Sequence, residues 1–245
     1  MAEDVRRAAL VTGASSGIGF AIASMLRDEG YDCTAVSRSE DKLRNAAQSI
    51  GAVPFTADVR DPDACRGAVD FHRSTFGRLD VLVHAAGVIS PGSVSSLPLK
   101  RWDLQFDVNV RALFVLAQES AELLRASHGL VVNISSIAAL LPAPGIGAYA
   151  ASKAAATTLA NCLFAEFSSS GVRATTITPD FVATEMLAHE AGNPLGLSET
   201  DMVRVEDCAE AVRLLLRLGP TVRVPQIALE CIAATRSRSV APRPR

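Results

Sequence analysis

Short apolar, β-branched runs alternate with helical stretches along nearly all of the 245-residue chain. The runs predict strands at residues 8–12, 32–37, 53–57, 81–84, 130–134, 174–178 and 226–231. Helical patterns occupy residues 18–29, 39–49, 62–76, 100–127, 149–169 and 206–218. This alternation is typical of β-α-β units. Because most of the strands lack polar alternation, we expect a seven-stranded, mostly parallel sheet with helices on both faces.

The chain reads as one doubly wound, Rossmann-type α/β domain that covers residues 1–234. Its only sizeable insertion, residues 185–200, carries Gly and Pro and is the expected substrate lid. The basic tail at residues 235–245 is expected to be disordered, with a polyanion-binding tail as the alternative reading.

Composition excludes several classes of protein. The 24 basic and 26 acidic residues leave a net charge of −2, so neither a nucleic acid nor an anionic membrane is an expected partner. The five cysteines are odd in number and form no C-x-x-C pair, which argues against disulfides and zinc and favours a reducing cytoplasm. The histidines are never at ligand spacing, so no metal site is expected. Residues 8–26 lack charge, but turn-forming residues interrupt them, so neither a signal nor a membrane span is predicted.

A glycine-rich turn follows the first strand and opens a helix. Gly13 would permit the tight turn, Gly17 the approach of a pyrophosphate, and Gly19 the close packing of helix and strand. The helix N-terminus would offer free N–H groups to phosphates. The spacing departs from G-x-G-x-x-G, so a purely structural turn remains the alternative.

Tyr149 and Lys153 lie four residues apart at the start of an Ala-rich helical stretch. On a helix they share one face. The Lys153 ammonium would then lower the pKa of the Tyr149 phenol toward the range of a general acid/base. The alternative is a half-exposed tyrosine and a solvated lysine.

Together, T-G-x-x-x-G-x-G and Y-x-x-x-K resemble the short-chain dehydrogenase/reductase family, in its compact single-domain branch. The resemblance covers nearly the whole chain and implies a catalytic set of Asn109, Ser136, Tyr149 and Lys153. In this family Tyr exchanges the substrate hydroxyl proton, Ser orients the substrate oxygen, Lys holds the ribose, and Asn anchors a water.

The resemblance also implies a set of cofactor-binding residues. These are Gly13, Ser15, Ser16, Gly17, Ile18, Gly19, Ser37, Arg38, Asp58, Val59, Ala85, Ala86, Gly87, Tyr149, Lys153, Pro179, Val182 and Thr184. Asp58 and Val59 would meet the adenine, although a surface aspartate is the alternative for Asp58. Leu140, Leu141, Phe181, Met186 and Leu187 would surround the nicotinamide end.

Three features depart from the family pattern. His84-Ala85-Ala86-Gly87 replaces N-N-A-G, so His84 is either a packed, satisfied side chain or a cofactor or substrate contact. Asp180 replaces a glycine, and its charge is unwelcome near a pyrophosphate unless it points away. The V-D-G-G ending is missing, and a Pro-Val-Arg-Val-like stretch stands in its place, as in an NADP-linked subgroup.

The end of the second strand favours NADP(H) over NAD(H). Ser37 and Arg38 replace the acidic residue that would bind a free ribose 2′-hydroxyl, and Arg suits a 2′-phosphate. The alternative is a solvated Arg38 beside Glu40 and Asp41.

These patterns predict an NADP(H)-dependent oxidoreductase that moves hydride between nicotinamide and a carbonyl or secondary alcohol, with Tyr149 as general acid/base. An NAD-linked or epimerase-like relative, or a non-catalytic nucleotide-sensing protein, remains open. The family resemblance further implies a homodimer or homotetramer.

Overall fold

The computed structural model describes residues 6–188 and 192–240, which form one parallel sheet flanked by helices. The seven strands run in the order β3-β2-β1-β4-β5-β6-β7, and every neighbouring pair is parallel. They are β1 Ala8–Thr12, β2 Asp32–Ser37, β3 Val53–Thr56, β4 Val81–His84, β5 Leu130–Ile134, β6 Arg173–Pro179 and β7 Gln226–Leu229. The predicted seven-stranded, doubly wound α/β fold is therefore confirmed.

Helices cover both faces of the sheet. They are α1 Gly17–Asp28, α2 Glu40–Ile50, α3 Pro62–Phe76, α4 Leu99–Phe106, α5 Ala112–Ser127, α6 Gly147–Phe167, α7 Val205–Arg217 and α8 Ile232–Val240. Among them, α1, α2 and α7 pack with one buried cluster, and α3, α5 and α6 pack with the other. No helix among the described residues is both long and apolar enough to cross a membrane.

The central strands β1, β4 and β5 are buried throughout, whereas the edge strand β3 leaves Pro54 and Thr56 exposed. All four residues of β4 are buried, and Val81 and Val83 belong to one core cluster while Leu82 belongs to the other. Such a strand has no solvent-facing side, which explains its unbroken apolar run.

Local chemistry explains why α3 begins and ends where the sequence predicts. Asp61 caps the helix by accepting a hydrogen bond from the Asp63 N–H at 2.9 Å, and Pro62 occupies the first turn. Gly77 ends the helix with a φ of 70°, a conformation that glycine adopts without a Cβ penalty.

Two segments differ from the sequence-based expectation. The helix predicted at residues 100–127 is interrupted by a π-helical turn, Asp107–Arg111, between α4 and α5. Helix α8 includes residues 235–240, which were expected to be disordered, because buried Cys231 and Ala234 anchor its first turn. Residues 241–245 of the expected tail, and residues 189–191 of the expected lid, lie outside the described residues.

The order of the strands positions a crevice. From β1 the chain proceeds outward to β2 and β3, and then returns to place β4 on the other side of β1. Parallel doubly wound sheets bind ligands at such a reversal, beyond the carboxyl ends of the strands.

Candidate active site

A groove of about 270 Å³ lies at this reversal, and we call it the switch-point groove. It is lined by Gly13, Ser15, Ser16, Gly17, Ile18, Gly19, Ser37, Arg38, Ala57, Asp58, Val59, Ala85, Ala86, Gly87, Val88, Val108, Thr184, Glu185 and Met186. The lining includes all the sequence-predicted cofactor residues except Tyr149, Lys153, Pro179 and Val182. Sequence reasoning missed the apolar lining at Ala57, Val88 and Val108, which carries no motif.

The turn between β1 and α1 depends on close backbone contacts. Gly13 has a φ of +69°, and a Cβ there would lie 2.8 Å from the Ala86 nitrogen. A Cβ on Gly19 would lie 2.4 Å from the Gly13 oxygen. Both distances are too short for any side chain, so the turn requires glycine at these positions.

The N-terminus of α1 opens onto the groove. Ser16 precedes the helix without a side-chain capping bond, and the first turn of α1 holds no acidic residue. Its N–H groups and positive partial charge are therefore available to an anion.

Tyr149, Ser136 and Lys153 lie close together where β5 meets α6. The Ser136 side chain lies close enough to the Tyr149 phenol to lower its pKa by hydrogen bonding. The Lys153 ammonium donates to the Ile134 carbonyl oxygen at 2.8 Å and lies 5.8 Å from the centre of the Tyr149 ring. The structure thus brings three of the four predicted catalytic residues together.

Asn109, the fourth, lies in the π-helical turn and is buried. Its Oδ1 accepts from the Val88 N–H at 2.9 Å, and its Nδ2 donates to the Val88 oxygen at 3.0 Å and to Ser152 Oγ at 2.9 Å. Ser152 Oγ in turn donates to the Tyr149 carbonyl oxygen at 2.8 Å. Sequence reasoning missed this connecting role of Ser152, although it lies inside the Y-x-x-x-K motif.

Gly87 is the point where the groove meets this cluster. A Cβ added there would lie 3.2 Å from Lys153 Nζ and 3.5 Å from Asn109 Oδ1. The groove and the four predicted catalytic residues therefore form one continuous site.

Burial governs the ionisation of the cluster. It raises the pKa of Tyr149 above its usual value, and the hydrogen bond with Ser136 acts in the opposite direction. It also lowers the pKa of Lys153 to about 8. The pKa of Tyr149 is therefore raised, contrary to the lowering expected from Lys153, whose ammonium donates to the Ile134 carbonyl.

At the far end of the groove, Ser15 Oγ and Ser37 Oγ are 2.9 Å apart and hydrogen-bonded, and Arg38 is exposed. The Asp58 carboxylate accepts from Arg60 Nε at 2.8 Å, and this contact holds the pKa of Asp58 below its usual value. Arg60 was not identified from the sequence. It partly neutralises the only predicted acidic cofactor contact.

The two departures near the catalytic cluster are both satisfied side chains. His84 is fully buried and does not line the groove, so it is a packed residue. Its ring nitrogens lie 3.3 Å from Thr12 Oγ1 and 3.1 Å from the Val108 oxygen. Asp180 accepts from the Cys231 N–H at 3.3 Å, so its carboxylate points toward the start of α8.

The predicted lid, residues 185–200, is joined at its base by a strand-like bridge and contacts α2 through an ion pair. Val182 pairs with Val203 in an isolated bridge, which closes the loop between them. Lys42 Nζ and Glu185 Oε2 are 3.1 Å apart across the groove rim. Met186 lines the groove, whereas Leu140 and Leu141 are half-exposed and lie outside its lining.

Comparisons with known proteins agree with this geometry. The short chain dehydrogenase family model matches residues 7–193. An uncharacterized oxidoreductase from Staphylococcus aureus strain N315 is 34% identical over 225 residues, which cover 89% of this chain and 94% of the relative.

Solved structures show the same fold. A short chain dehydrogenase from Burkholderia cenocepacia in complex with NADP has a TM-score of 0.85 and 30% identity, covering 94% of this chain and 99% of that chain. An alcohol dehydrogenase from Thermococcus sibiricus complexed with 5-hydroxy-NADP has a TM-score of 0.83 and 27% identity, covering 98% of this chain and 99% of that chain. With the motifs and the family match, these likenesses show that the chain is an oxidoreductase of the short-chain dehydrogenase/reductase family.

Proposed function

We propose that this protein is an NADP(H)-dependent oxidoreductase of carbonyls or secondary alcohols, with Tyr149 as general acid/base. The observation that carries the proposal is the placement of Tyr149 beside Ser136, which acts to lower the Tyr149 pKa, and beside Lys153, at the end of the switch-point groove. Two neighbouring hydroxyls suit a single substrate oxygen, which Ser136 would orient while Tyr149 gives or takes its proton.

The supporting residues hold this pair in place. The Ile134 carbonyl fixes the Lys153 ammonium at the floor of the site, where it can also reach a ribose beside Gly87. Asn109 links Val88 of the groove to Ser152 of helix α6. Burial lowers the pKa of Lys153 to about 8, so its ammonium can exchange protons near neutral pH.

Several features of the groove support a dinucleotide with a 2′-phosphate as its ligand. The close glycine turn brings the uncapped N-terminus of α1 to the groove, where it suits a pyrophosphate. Ser37 and Arg38 would hold the 2′-phosphate, and Asp58 and Val59 the adenine. Ala85, Ala86 and Gly87 would lie along the central part of the dinucleotide. The nicotinamide carboxamide would be held by Pro179, Val182 and Thr184. The nicotinamide supplies the hydride.

Structural neighbours that were solved in complex with NADP support this choice, among them a metagenomic short-chain oxidoreductase and the Burkholderia cenocepacia enzyme. An NAD-linked enzyme would be expected to present an acidic residue at the end of β2, where this chain has Ser37 and Arg38.

The test is a panel of ketones and aldehydes with NADPH and NADH, followed by the loss of reduced-nicotinamide absorbance. We expect turnover with NADPH on at least one apolar carbonyl. If the parent and Tyr149→Phe both bind NADPH tightly and turn over none of the carbonyls in the panel, that result would instead support the nucleotide-sensing alternative.

We also propose a cytoplasmic homodimer or homotetramer. Trp102, Leu99 and Phe114 of α4 and α5 expose 39%, 78% and 50% of their surface, which suits burial between copies. Cys33, Cys65, Cys208 and Cys231 are buried free thiols, as expected in a reducing compartment. Light scattering after size exclusion tests the assembly, and a monomer would exclude it.

A further inference from the structure

His84 has a polar partner at each ring nitrogen, although no solvent reaches it. Nε2 lies 3.1 Å from the carbonyl oxygen of Val108, and Nδ1 lies 3.3 Å from Thr12 Oγ1. Thr12 Oγ1 in turn accepts from the Ala86 N–H at 3.2 Å. Thr12 and His84 are paired residues at the carboxyl ends of β1 and β4.

The contacts define the tautomer of the ring. A carbonyl oxygen only accepts, so Nε2 must carry the proton that it donates to Val108. Burial and the nearby Lys153 charge lower the pKa of His84 to about 3, so the ring is neutral and Nδ1 is an acceptor. Thr12 Oγ1 accepts from the Ala86 N–H and donates its proton to Nδ1, which at 3.3 Å is nearer than its other acceptor, the Val83 oxygen at 3.5 Å.

This chain of hydrogen bonds joins two parts of the site. Ala86 lies on the floor of the switch-point groove, next to Gly87. Val108 also lines the groove and precedes Asn109 in the π-helical turn. A π turn displaces carbonyls from the regular helical pattern, and its oxygens can therefore take partners outside the helix. His84, at the end of β4, provides that partner for the Val108 oxygen.

His72 shows the same bonding pattern away from the site. It is also fully buried, its Nδ1 lies 2.8 Å from Thr34 Oγ1, and its Nε2 lies 2.9 Å from the Arg78 oxygen. It belongs to α3 and does not line the groove. It is therefore a matched control for burial and hydrogen bonding without contact with the site.

We propose that His84 is a positioning residue, whose ring holds the Ala85–Gly87 floor of the groove in register with the π-helical turn that carries Asn109. This inference rests on the proposed function, because Asn109 and the groove matter only if cofactor and substrate meet there. If His84 were purely structural, its substitution would change only the free energy of unfolding, as we expect for substitutions of His72.

Two variants of His84 test its hydrogen bonds to Thr12 and to Val108 one at a time. In His84→Asn the amide lies near the former Nδ1 and keeps the Thr12 partner, but it is too short for Val108. In His84→Gln the amide reaches the former Nε2 and keeps Val108, but it loses Thr12. His72→Asn and His72→Gln are the controls, and Thr12→Val breaks the chain without altering His84.

We expect His84→Asn to lower kcat at least fivefold while the Kd for NADPH changes less than twofold, because Asn109 loses its support. We expect His84→Gln and Thr12→Val to raise that Kd at least threefold, because the Ala86 segment is released. The His72 variants should unfold at lower denaturant concentration with kcat and Kd within twofold of the parent.

Amide hydrogen exchange gives a readout that needs no turnover. Residues 85–88 should exchange faster in His84→Gln and Thr12→Val, and residues 106–111 in His84→Asn, whereas the His72 variants should leave both segments unchanged. If the parent shows no turnover, the proposed function fails while exchange still decides the positioning role.

Unchanged exchange in both segments, or kinetic losses of equal size in the His72 variants, would overturn the inference. If a His84 variant fails to fold, Thr12→Val decides alone, and an unchanged Kd and exchange in that variant likewise overturn it.

Discussion

Tyr149 is the residue at which the proposed chemistry is most directly tested. Tyr149→Phe keeps the ring and its packing but removes the proton that general acid catalysis transfers. We expect kcat to fall about 10²–10⁴-fold, with the Kd for NADPH unchanged. Steady-state kinetics and a fluorescence titration measure the two quantities.

The matched control is Tyr31→Phe, which alters the other tyrosine of the chain, a buried side chain under Arg7. It should leave kcat unchanged. A Tyr149→Phe variant that retains more than about a tenth of the parent rate, with chemistry rate-limiting, would contradict the role of the phenol.

Arg38 and Ser37 set the proposed cofactor preference. Charge-assisted hydrogen bonds contribute roughly 1.5–3 kcal/mol each, so Arg38→Ala should weaken NADPH about 10-fold to several hundredfold and NADH little. Ser37→Asp should go further and favour NADH, because a carboxylate repels the 2′-phosphate and accepts from a 2′-hydroxyl.

Titrations of both cofactors at fixed ionic strength measure this preference, since salt screens phosphate contacts. Arg44→Ala is the control, because Arg44 is exposed on α2 and pairs with Glu40 at 2.5 Å. Equal or tighter binding of NADH by the parent would support the NAD-linked alternative.

At the scale of elements, the junction of β1 and α1 depends on Gly19. Gly19→Ala would place a Cβ 2.4 Å from the Gly13 oxygen, which is backbone and cannot rotate away. The turn must shift, so we expect a stability loss of about 1–3 kcal/mol and weaker NADPH binding. Urea unfolding and cofactor titration measure the two effects.

Gly219→Ala is the control for that substitution, because a Cβ there meets no atom within 4 Å. Its free energy of unfolding should stay within about 0.5 kcal/mol of the parent value. Unaltered cofactor affinity in Gly19→Ala would show that the turn tolerates displacement.

For the whole molecule, buried histidines make the fold sensitive to acid. Burial lowers the pKa of His72 to about 4 and that of His84 to about 3, from 6.5. Below pH 6.5 the unfolded chain therefore binds protons that the folded state excludes. The contribution of these histidines to the free energy of unfolding is fully present above pH 6.5. It is lost as the pH drops toward 4, by up to about 1.4 kcal/mol per pH unit for each histidine.

Urea unfolding between pH 7 and pH 4.5 measures this slope. His72→Gln should flatten it, since Gln does not titrate, while His128→Asn should not, because His128 is exposed. His128 has a φ of 52°, which Asn tolerates. Equal slopes in the parent and in His72→Gln would contradict the assignment of acid sensitivity to buried imidazole.

Sequence patterns by themselves determined the strands, most helix bounds and the glycine turn of the groove, while the other groove residues came from the family resemblance. Burial on both faces requires continuous apolar strands, and caps such as Asp61 and Gly77 act within a few residues of the helix ends. Both signals are local, so they can be read along the chain. The four catalytic candidates came from the family resemblance and were then found together.

The tertiary structure alone decided how distant residues satisfy one another. The π-helical turn at Asn109 and the hydrogen bond from Lys153 Nζ to the Ile134 oxygen leave no periodic signal in the sequence. His84 reaches Val108 and Thr12, which lie 24 and 72 residues away. Buried polar groups must find partners wherever packing brings them, so their partners depend on the assembled fold and not on the neighbouring sequence.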